Sequence, residues 1–306
     1  MNRRVFSGTI VLAIIACVLW ATAFTGIKIG LRYTPPLQFA GIRFFISGLL
    51  LLPFVRQISL KFRIARKHWK QIVVVGILQI TLQYALFYTG VSMVPGALGA
   101  MVVGSGPLFV TLVAHFMLKN DRLTVRKSVS IALGLLGVAI ISLSRKELMV
   151  EGSLIGFGIA VLILNNGLAG IGNVVVSRTA AGLPPLVLSS FSMILGGALL
   201  YLIALPIEGF ACGPFPLEYY GALAWLSFLS AAAITIWYIL LNRPGVKVSD
   251  LNMWKFIIPV VGAIMSWAVL PGEKPDMYSV LGMVVIAAAL LVLNLKKRNR
   301  TLAALS

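Results

Sequence analysis

The chain has 306 residues, of which 59% are hydrophobic and only 11% are charged, and its mean hydropathy is +1.00. Soluble domains carry about 25% charged residues, so this composition excludes a water-soluble enzyme or a nucleic-acid-binding module. The net charge of +18 would suggest a nucleic-acid partner on a soluble protein, but here most basic residues flank apolar runs, as membrane topology requires.

Apolar runs divide the chain into ten segments, each close to the length of about 20 residues that a helix needs to cross a bilayer. The alternating pattern of a membrane β-barrel is absent, so we predict an all-α integral membrane protein with ten transmembrane helices. The predicted spans are 8–30, 37–55, 71–91, 96–118, 128–143, 154–176, 185–205, 220–241, 252–270 and 277–295. The fifth is short, and we expect it to begin before residue 128.

Charge in the loops predicts the orientation. Nineteen of the 26 lysines and arginines fall in the termini and one set of loops, four fall in the other set, and three fall within spans. This asymmetry predicts that both termini face the cytoplasm. The expected partners are the lipid bilayer and a small-molecule substrate, with no nucleic acid; the chain is expected to be a monomer or a homodimer.

The chain contains an internal repeat. Pro35-Pro36-Leu37 follows the first span and Pro184-Pro185-Leu186 follows the sixth, 149 residues later. Four further pairs share an offset of 152 residues: Pro107 with Pro259, Asp121 with Glu273, Ser130 with Gly282, and Gly137 with Ala289. We therefore predict two five-helix repeats, residues 1–148 and 149–306. Because five is odd, the second must be inverted, which is a frequent architecture of secondary transporters.

Several motifs resemble the drug/metabolite transporter superfamily, specifically its EamA-like members with ten helices. They are Leu19-Trp20-Ala21-Thr22-Ala23-Phe24 and Pro35-Pro36-Leu37 with Ala40-x-x-Arg43-Phe44, followed in each half by a proline, an acid and a helix rich in small residues. Asp121 and Lys255 depart from the usual pattern. The resemblance implies a metabolite carrier or exporter in the cell inner membrane. It also implies that helices one to four and six to nine enclose the central cavity.

Three cations within spans are candidate substrate ligands, because ionisable residues are costly in a membrane. Lys28 could hold a substrate anion or extend to the outer interface. It shares a helix face with Trp20 and Phe24, which could equally be a packing face. Arg43 could bind an anion or clamp neighbouring helices. Lys255 could bind substrate or mark the interfacial start of its helix.

Uncharged polar and aromatic residues form a second candidate set. Gln79 and Gln83 share one helix face, and Asn166 and Asn173 share another; these amides could bind substrate or join helices. Trp237 could add an aromatic wall. Asn252 lies on the face of Lys255 and Pro259, where the proline leaves the Lys255 carbonyl without its helical donor.

Small residues and prolines indicate where the helices pack closely or bend. Gly96 and Gly104 precede Pro107 in the fourth predicted helix, and Pro259 is the equivalent residue of the ninth. We assign these four residues to gating and packing.

Residue types and motifs that the sequence lacks exclude further classes of function. No aspartate or glutamate lies in the middle of a span, which disfavours a proton-coupled cation exporter. No phosphate-binding loop or metal-ligand cluster is present in the sequence, so neither an enzyme nor a cofactor is expected. The three charged residues within the predicted spans are all basic, which indicates an anionic or zwitterionic substrate. We therefore expect a secondary transporter that exports small metabolites such as amino acids by alternating access. The alternative is an organic-anion, sugar-phosphate or nucleotide-sugar carrier of the same fold.

Overall fold

The computed structural model describes residues 3–55, 58–94, 99, 102–143, 153–179, 182–211, 213–269 and 276–302. Within these ranges the regular secondary structure is entirely helical. The helices are α1 Arg3–Gly30, α2 Pro36–Leu51, α3 Ile58–Lys67, α4 Trp69–Met93, α5 Gly106–Met117, α6 Val125–Leu143, α7 Ser153–Ser177, α8 Pro185–Glu208, α9 Leu217–Leu241, α10 Val248–Asn252, α11 Ile257–Val269 and α12 Met277–Leu302. Short 3-10 turns follow α2 and α10, at Leu52–Phe54 and Met253–Phe256.

Five helices in the described ranges are long and apolar enough to cross a membrane: Pro36–Phe54, Trp69–Met93, Leu154–Ser177, Pro185–Glu208 and Leu217–Leu241. Shorter apolar stretches lie at Gly8–Ala23, Val102–Met117 and Met277–Leu293. The prediction of an all-helical fold is therefore confirmed for the described residues, and these helices are consistent with a multi-pass membrane protein. The count of ten crossings and their inverted arrangement stay predictions.

Proline explains two interruptions that fall inside predicted spans. The fourth span is broken by a turn at Ser105, and α5 begins beside Pro107, whose nitrogen cannot donate to the preceding turn. The ninth predicted span begins earlier than residue 252, in helix α10. It continues through the 3-10 turn Met253–Phe256 into α11. Pro259 leaves the Lys255 carbonyl without its α-helical donor, so the tighter turn falls where that bond is missing.

The helices α2 and α8 pack along one another at very short range. A Cβ atom added to Gly48 would lie 2.6 Å from the Ser190 carbonyl oxygen, and one added to Gly197 would lie 2.8 Å from that of Gly41. Glycine at these positions therefore lets the two backbones touch, as in other close helix pairs of membrane proteins.

Glu208, at the end of α8, caps the start of α2. Its two carboxylate oxygens accept hydrogen bonds of 2.9 Å from the backbone N–H groups of Leu37 and Gln38. The negative charge also faces the positive end of the α2 dipole. Gly209 then ends α8 with a φ of +76°, a conformation that glycine adopts without strain.

The helices α6 and α12 form a second close pair. The Ser130 hydroxyl donates to the Ala289 carbonyl at 3.0 Å, and a Cβ on Gly137 would lie 2.7 Å from the Gly282 carbonyl oxygen. Contacts of α1 with α9, and of α7 with α4 and α5, build the centre of the molecule. The candidate site lies in that central group.

Candidate functional site

A cavity of about 340 Å³, its open mouth included, lies between α1, α4, α7, α9 and the 3-10 turn Met253–Phe256. Six residues predicted to bind substrate line it: Trp20, Gln79, Gln83, Asn173, Trp237 and Lys255. Ile80, Tyr84, Ile234 and Tyr238 complete the wall. The described residues of α6 and α12 contribute nothing to this lining. Four helices that are distant in the chain thus converge on one polar space.

The ammonium of Lys255 lies beside a pair of tryptophan rings. Its Nζ atom is 4.8 Å from the ring centroid of Trp237 and 5.3 Å from that of Trp20. The two rings themselves meet edge to face, with centroids 5.0 Å apart. Cation–π contacts of this kind contribute about 0.5–2 kcal/mol each.

No carboxylate pairs with this ammonium in the part of the chain that the structure describes. The ion pairs found there join Lys127 to Asp121 and Asp250, which do not line the cavity. The cavity therefore presents a positive charge that the ring faces stabilise and that no described acidic residue neutralises.

The amide pair of α4 is positioned by an unusual helical turn. Gly76–Leu82 is a π-helix, with wider turns than the α-helical segments on either side. Gln79 lies within it, and its Nε2 donates to the Oε1 of Gln83 at 2.9 Å. Such π segments are often found at functional sites. Gln79 and Ile80 within the segment, and Gln83 directly after it, line the same cavity.

Asn173 connects α7 to the tryptophan of α9. The indole Nε1 of Trp237 donates to the Asn173 Oδ1 at 2.8 Å, and the Asn173 Nδ2 donates to the Ala169 carbonyl at 2.6 Å. Gln79 also donates to that carbonyl, at 3.4 Å. This network fixes the orientation of one of the two rings that face Lys255.

Arg43 lies behind the cavity wall and does not line it. Its Nε donates to the Ser230 Oγ at 3.0 Å and its Nη1 to the Tyr88 Oη at 2.9 Å. The guanidinium carbon lies 4.5 Å from the ring centroid of Phe44 and 5.7 Å from that of Tyr84. Arg43 therefore joins three helices and supports Tyr84 from behind.

Two predicted asparagines lie outside the cavity lining. The Nδ2 of Asn166 donates to the Val102 carbonyl at 2.6 Å, where the fourth predicted span is broken. Asn252 is fully buried, and its Nδ2 donates to the Val248 carbonyl at 2.9 Å. Both amides thus hold helical segments that are interrupted near prolines.

The packing residues differ in what the structure describes. A Cβ on Gly104 would lie 2.8 Å from a methyl carbon of Val138, so this glycine lets its helix approach α6. Pro107 is buried, and its carbonyl accepts a 2.7 Å hydrogen bond from Thr111. Gly96 and the side chains of Phe24 and Lys28 lie outside the described residues.

Sequence reasoning did not select Tyr84 and Ile80. Tyr84 follows Gln83 directly, so a regular α-helix would direct the two side chains about 100° apart. Its ring packs on Phe44 with the centroids 4.2 Å apart. Apolar and aromatic residues beside the two glutamines were the available signal, but nothing in the sequence distinguishes those that line the cavity from those that pack against other helices.

The described helices are apolar and surround a cavity lined by polar and aromatic side chains, an arrangement typical of membrane transport proteins. The family model for the EamA-like transporter family matches residues 7–143 and 156–295. This match extends over most of the chain, and the protein belongs to the EamA-like transporter family.

Full-length relatives carry transporter names. The uncharacterized transporter YvbV of Bacillus subtilis is 26% identical over 94% of this chain and 92% of its own length. The uncharacterized inner membrane transporter YedA of Escherichia coli K12 is 26% identical over 92% and 88%. A protein crystal structure with 19% sequence identity matches the fold with a TM-score of 0.80, over 97% of this chain and 99% of that one. The chain is therefore a multi-pass membrane transporter.

Proposed function

We propose that this transporter exports small metabolites such as amino acids by alternating access through the central cavity. The observation that carries the proposal is the Lys255 ammonium, which contacts the rings of Trp20 and Trp237 and has no carboxylate partner among the described residues. A substrate carboxylate supplies the missing negative charge and accepts hydrogen bonds from the ammonium.

The rest of the cavity suits a small amphiphilic molecule. Gln83 uses its Oε1 in the contact with Gln79, and its NH₂ group has no hydrogen bond among the described residues. Tyr84 and the two tryptophans offer ring surface to an apolar side chain.

Reciprocal contacts support two repeats of five spans each. Adding 149 to Gly48 gives Gly197, and adding it to Gly41 gives Ser190. If each residue is replaced by its equivalent in the other half, the contact Gly48–Ser190 becomes the contact Gly197–Gly41, and both contacts are present in the structure. Such reciprocity is what a two-fold relation between the halves requires.

The second offset behaves in the same way in the α6–α12 pair. Adding 152 to Ser130 gives Gly282, and adding it to Gly137 gives Ala289. The contact Ser130–Ala289 therefore corresponds to the contact Gly282–Gly137 under the repeat, and both contacts are present in the structure. The two ranges matched by the family model, 7–143 and 156–295, also support duplication. An inverted pair of this kind can open one central site to alternate sides.

A buried polar cluster joins the halves at one end of the bundle. Asp121, in the loop before α6, accepts a hydrogen bond of 2.8 Å from the Ser249 backbone N–H. Its carboxylate also accepts from the Ser249 hydroxyl and pairs with the Lys127 ammonium. Asp121 and Lys127 are each 1% exposed. In an alternating-access cycle this cluster closes one side, and it opens when the halves tilt apart.

The charge distribution of the loops supports the orientation with both termini in the cytoplasm. That orientation puts the Asp121 cluster on the cytoplasmic side. The name of the relative YedA, an inner membrane transporter, supports the inner membrane as the location of this chain.

An organic anion, such as a sugar phosphate, is the second candidate cargo. The observation that favours it is the absence of any acidic residue among the described residues that line the cavity. A zwitterion requires an acceptor for its amino group, whereas a phosphate requires the ammonium and amide donors alone.

The test is ligand-induced thermal stabilisation of the purified protein and of a Lys255→Ala variant. The panel contains L-leucine and other zwitterionic amino acids, a hexose phosphate, a nucleotide sugar and a quaternary ammonium ion. We expect amino acids to raise the melting temperature of the parent protein. Stabilisation by phosphates alone, lost in the variant, replaces the first candidate with the second. Stabilisation by the quaternary ammonium ion alone contradicts both.

A further inference from the structure

The connection between α2 and α4 is strongly basic. Residues 56–70 contain six cations and no acid. They are Arg56, Lys61, Arg63, Arg66, Lys67 and Lys70. The first acidic residue anywhere in the chain is Asp121, so this segment has no acidic neighbour along the chain.

The helix α3, Ile58–Lys67, lies at the end of the bundle. It joins two helices that are each long and apolar enough to cross a membrane, Pro36–Phe54 and Trp69–Met93. A short helix between two such consecutive spans lies at the membrane surface. Its inner face packs on the protein, because Ala65 is buried and Ile64 is half-buried against the core.

The outer face of α3 carries three exposed cations. Arg63, Arg66 and Lys67 are exposed and spaced three and four residues apart, so they form one patch. The described part of the chain gives none of them an acidic partner within 4 Å. Their charge is therefore available to an outside group.

Exposed aromatic rings flank the basic patch. Phe54, Phe62 and Trp69 are 71%, 60% and 55% exposed. Phe62 also touches the ring of Phe191 in α8, with centroids 5.9 Å apart. Aromatic rings with adjacent cations are characteristic of helices that lie in the interface of a membrane.

We propose that α3 and its flanking aromatics form a binding surface for anionic phospholipid headgroups. The cations bind the lipid phosphates, and the three rings enter the region between headgroups and acyl chains. The charge of the patch selects anionic over zwitterionic lipid, since each Lys or Arg near an anionic surface increases binding about fivefold. The surface is separate from the cavity, so its occupancy is independent of the cargo.

The experiment measures which lipid lies next to Trp69. The full-length protein is reconstituted in phosphatidylcholine vesicles that contain an equal mole fraction of either brominated phosphatidylglycerol or brominated phosphatidylcholine. Bromine quenches tryptophan at contact, and a Trp69→Phe variant gives the signal of the other tryptophans. We expect quenching at Trp69 to be roughly threefold stronger with the brominated anionic lipid, and to weaken at high salt as screening predicts.

Two charge-matched variants complete the test. In Arg63→Gln/Arg66→Gln/Lys67→Gln the preference for anionic lipid is expected to disappear. The control Lys119→Gln/Arg122→Gln/Arg126→Gln removes the same charge from the α5–α6 connection and the first turn of α6, where no exposed tryptophan lies alongside in the sequence, and it is expected to retain the preference. Equal quenching by the two lipids in the parent protein overturns the proposal, and so does a preference that survives in the α3 variant.

Discussion

Replacing Lys255 by glutamine separates its role in binding from its role in the fold. The Nζ atom contacts two tryptophan rings at 4.8 and 5.3 Å, and no acid pairs with it in the described residues. A carboxylate about 4 Å away gains about 4 kcal/mol at an effective dielectric constant of about 20. Glutamine keeps a hydrogen bond worth about 1 kcal/mol. The expected net loss is about 2–3 kcal/mol, which is a roughly 30- to 150-fold loss of affinity.

The thermal stability of the unliganded Lys255→Gln variant is not expected to fall with its affinity. Glutamine forfeits two cation–π contacts of about 0.5–2 kcal/mol each. It also removes a charge that is withdrawn from water without an ion partner, a penalty of several kcal/mol. The unliganded variant should therefore melt at the same temperature as the parent protein or higher. A residue that served the fold alone would lower it.

The assay is the concentration dependence of the melting temperature with L-leucine and with a hexose phosphate. Lys247→Gln is the matched control, because the Lys247 side chain is exposed and outside the cavity lining. An affinity of Lys255→Gln within twofold of the parent protein refutes the reasoning. An equal loss in Lys247→Gln refutes it as well.

Three further predictions concern the scaffold, and melting temperature measures the first two. Asp121→Asn leaves the Lys127 ammonium buried without its partner and should destabilise the protein by about 3–5 kcal/mol, whereas adding Lys127→Met should restore much of the loss. Gly197→Ala forces α2 and α8 apart and should cost about 1–3 kcal/mol, while Gly167→Ala, where an added Cβ meets nothing within 4 Å, should cost nothing. Asn173→Ala leaves a buried indole N–H without its acceptor, which costs about 1–3 kcal/mol and should shift the tryptophan emission to shorter wavelength.

Each of these has an outcome that contradicts it. A fully stable Asp121→Asn variant would mean that the buried cluster is not formed. Equal melting temperatures of the two glycine variants would deny the close contact of α2 and α8. An unchanged emission spectrum in Asn173→Ala would deny the hydrogen bond to the indole.

The helices were predictable from the sequence because apolar length determines where a chain crosses a membrane. Residues 154–176 were predicted as a span, and α7 is Ser153–Ser177. The π-helix Gly76–Leu82 was not predicted, since its composition does not differ from that of the surrounding α-helix. The amphipathic helix α3 was also not predicted, because it is too short and too basic to satisfy a search for spans.

The polar residues of the cavity were predictable because placing a charged or amide side chain inside a membrane costs free energy. Such residues are therefore rare within spans, and each is a candidate for a functional or structural role. Lys255, Gln79 and Asn173 were identified on that ground, and they line one cavity. Arg43 satisfied the same criterion, yet it lies behind the wall with its donors bonded to Ser230 and Tyr88. Sequence reveals that a polar group is inside the membrane, but the partners that satisfy it come from helices distant in the chain.

The measurement that tests the central claim most directly is counterflow of radiolabelled L-leucine and of a labelled hexose phosphate in proteoliposomes. Gln83→Trp fills the cavity, and Leu164→Trp adds the same ring at a position in α7 that is 62% exposed. The account predicts saturable exchange of at least one of these solutes by the parent protein and by Leu164→Trp, and its loss in Gln83→Trp. Exchange that continues undiminished in Gln83→Trp would contradict transport through this cavity.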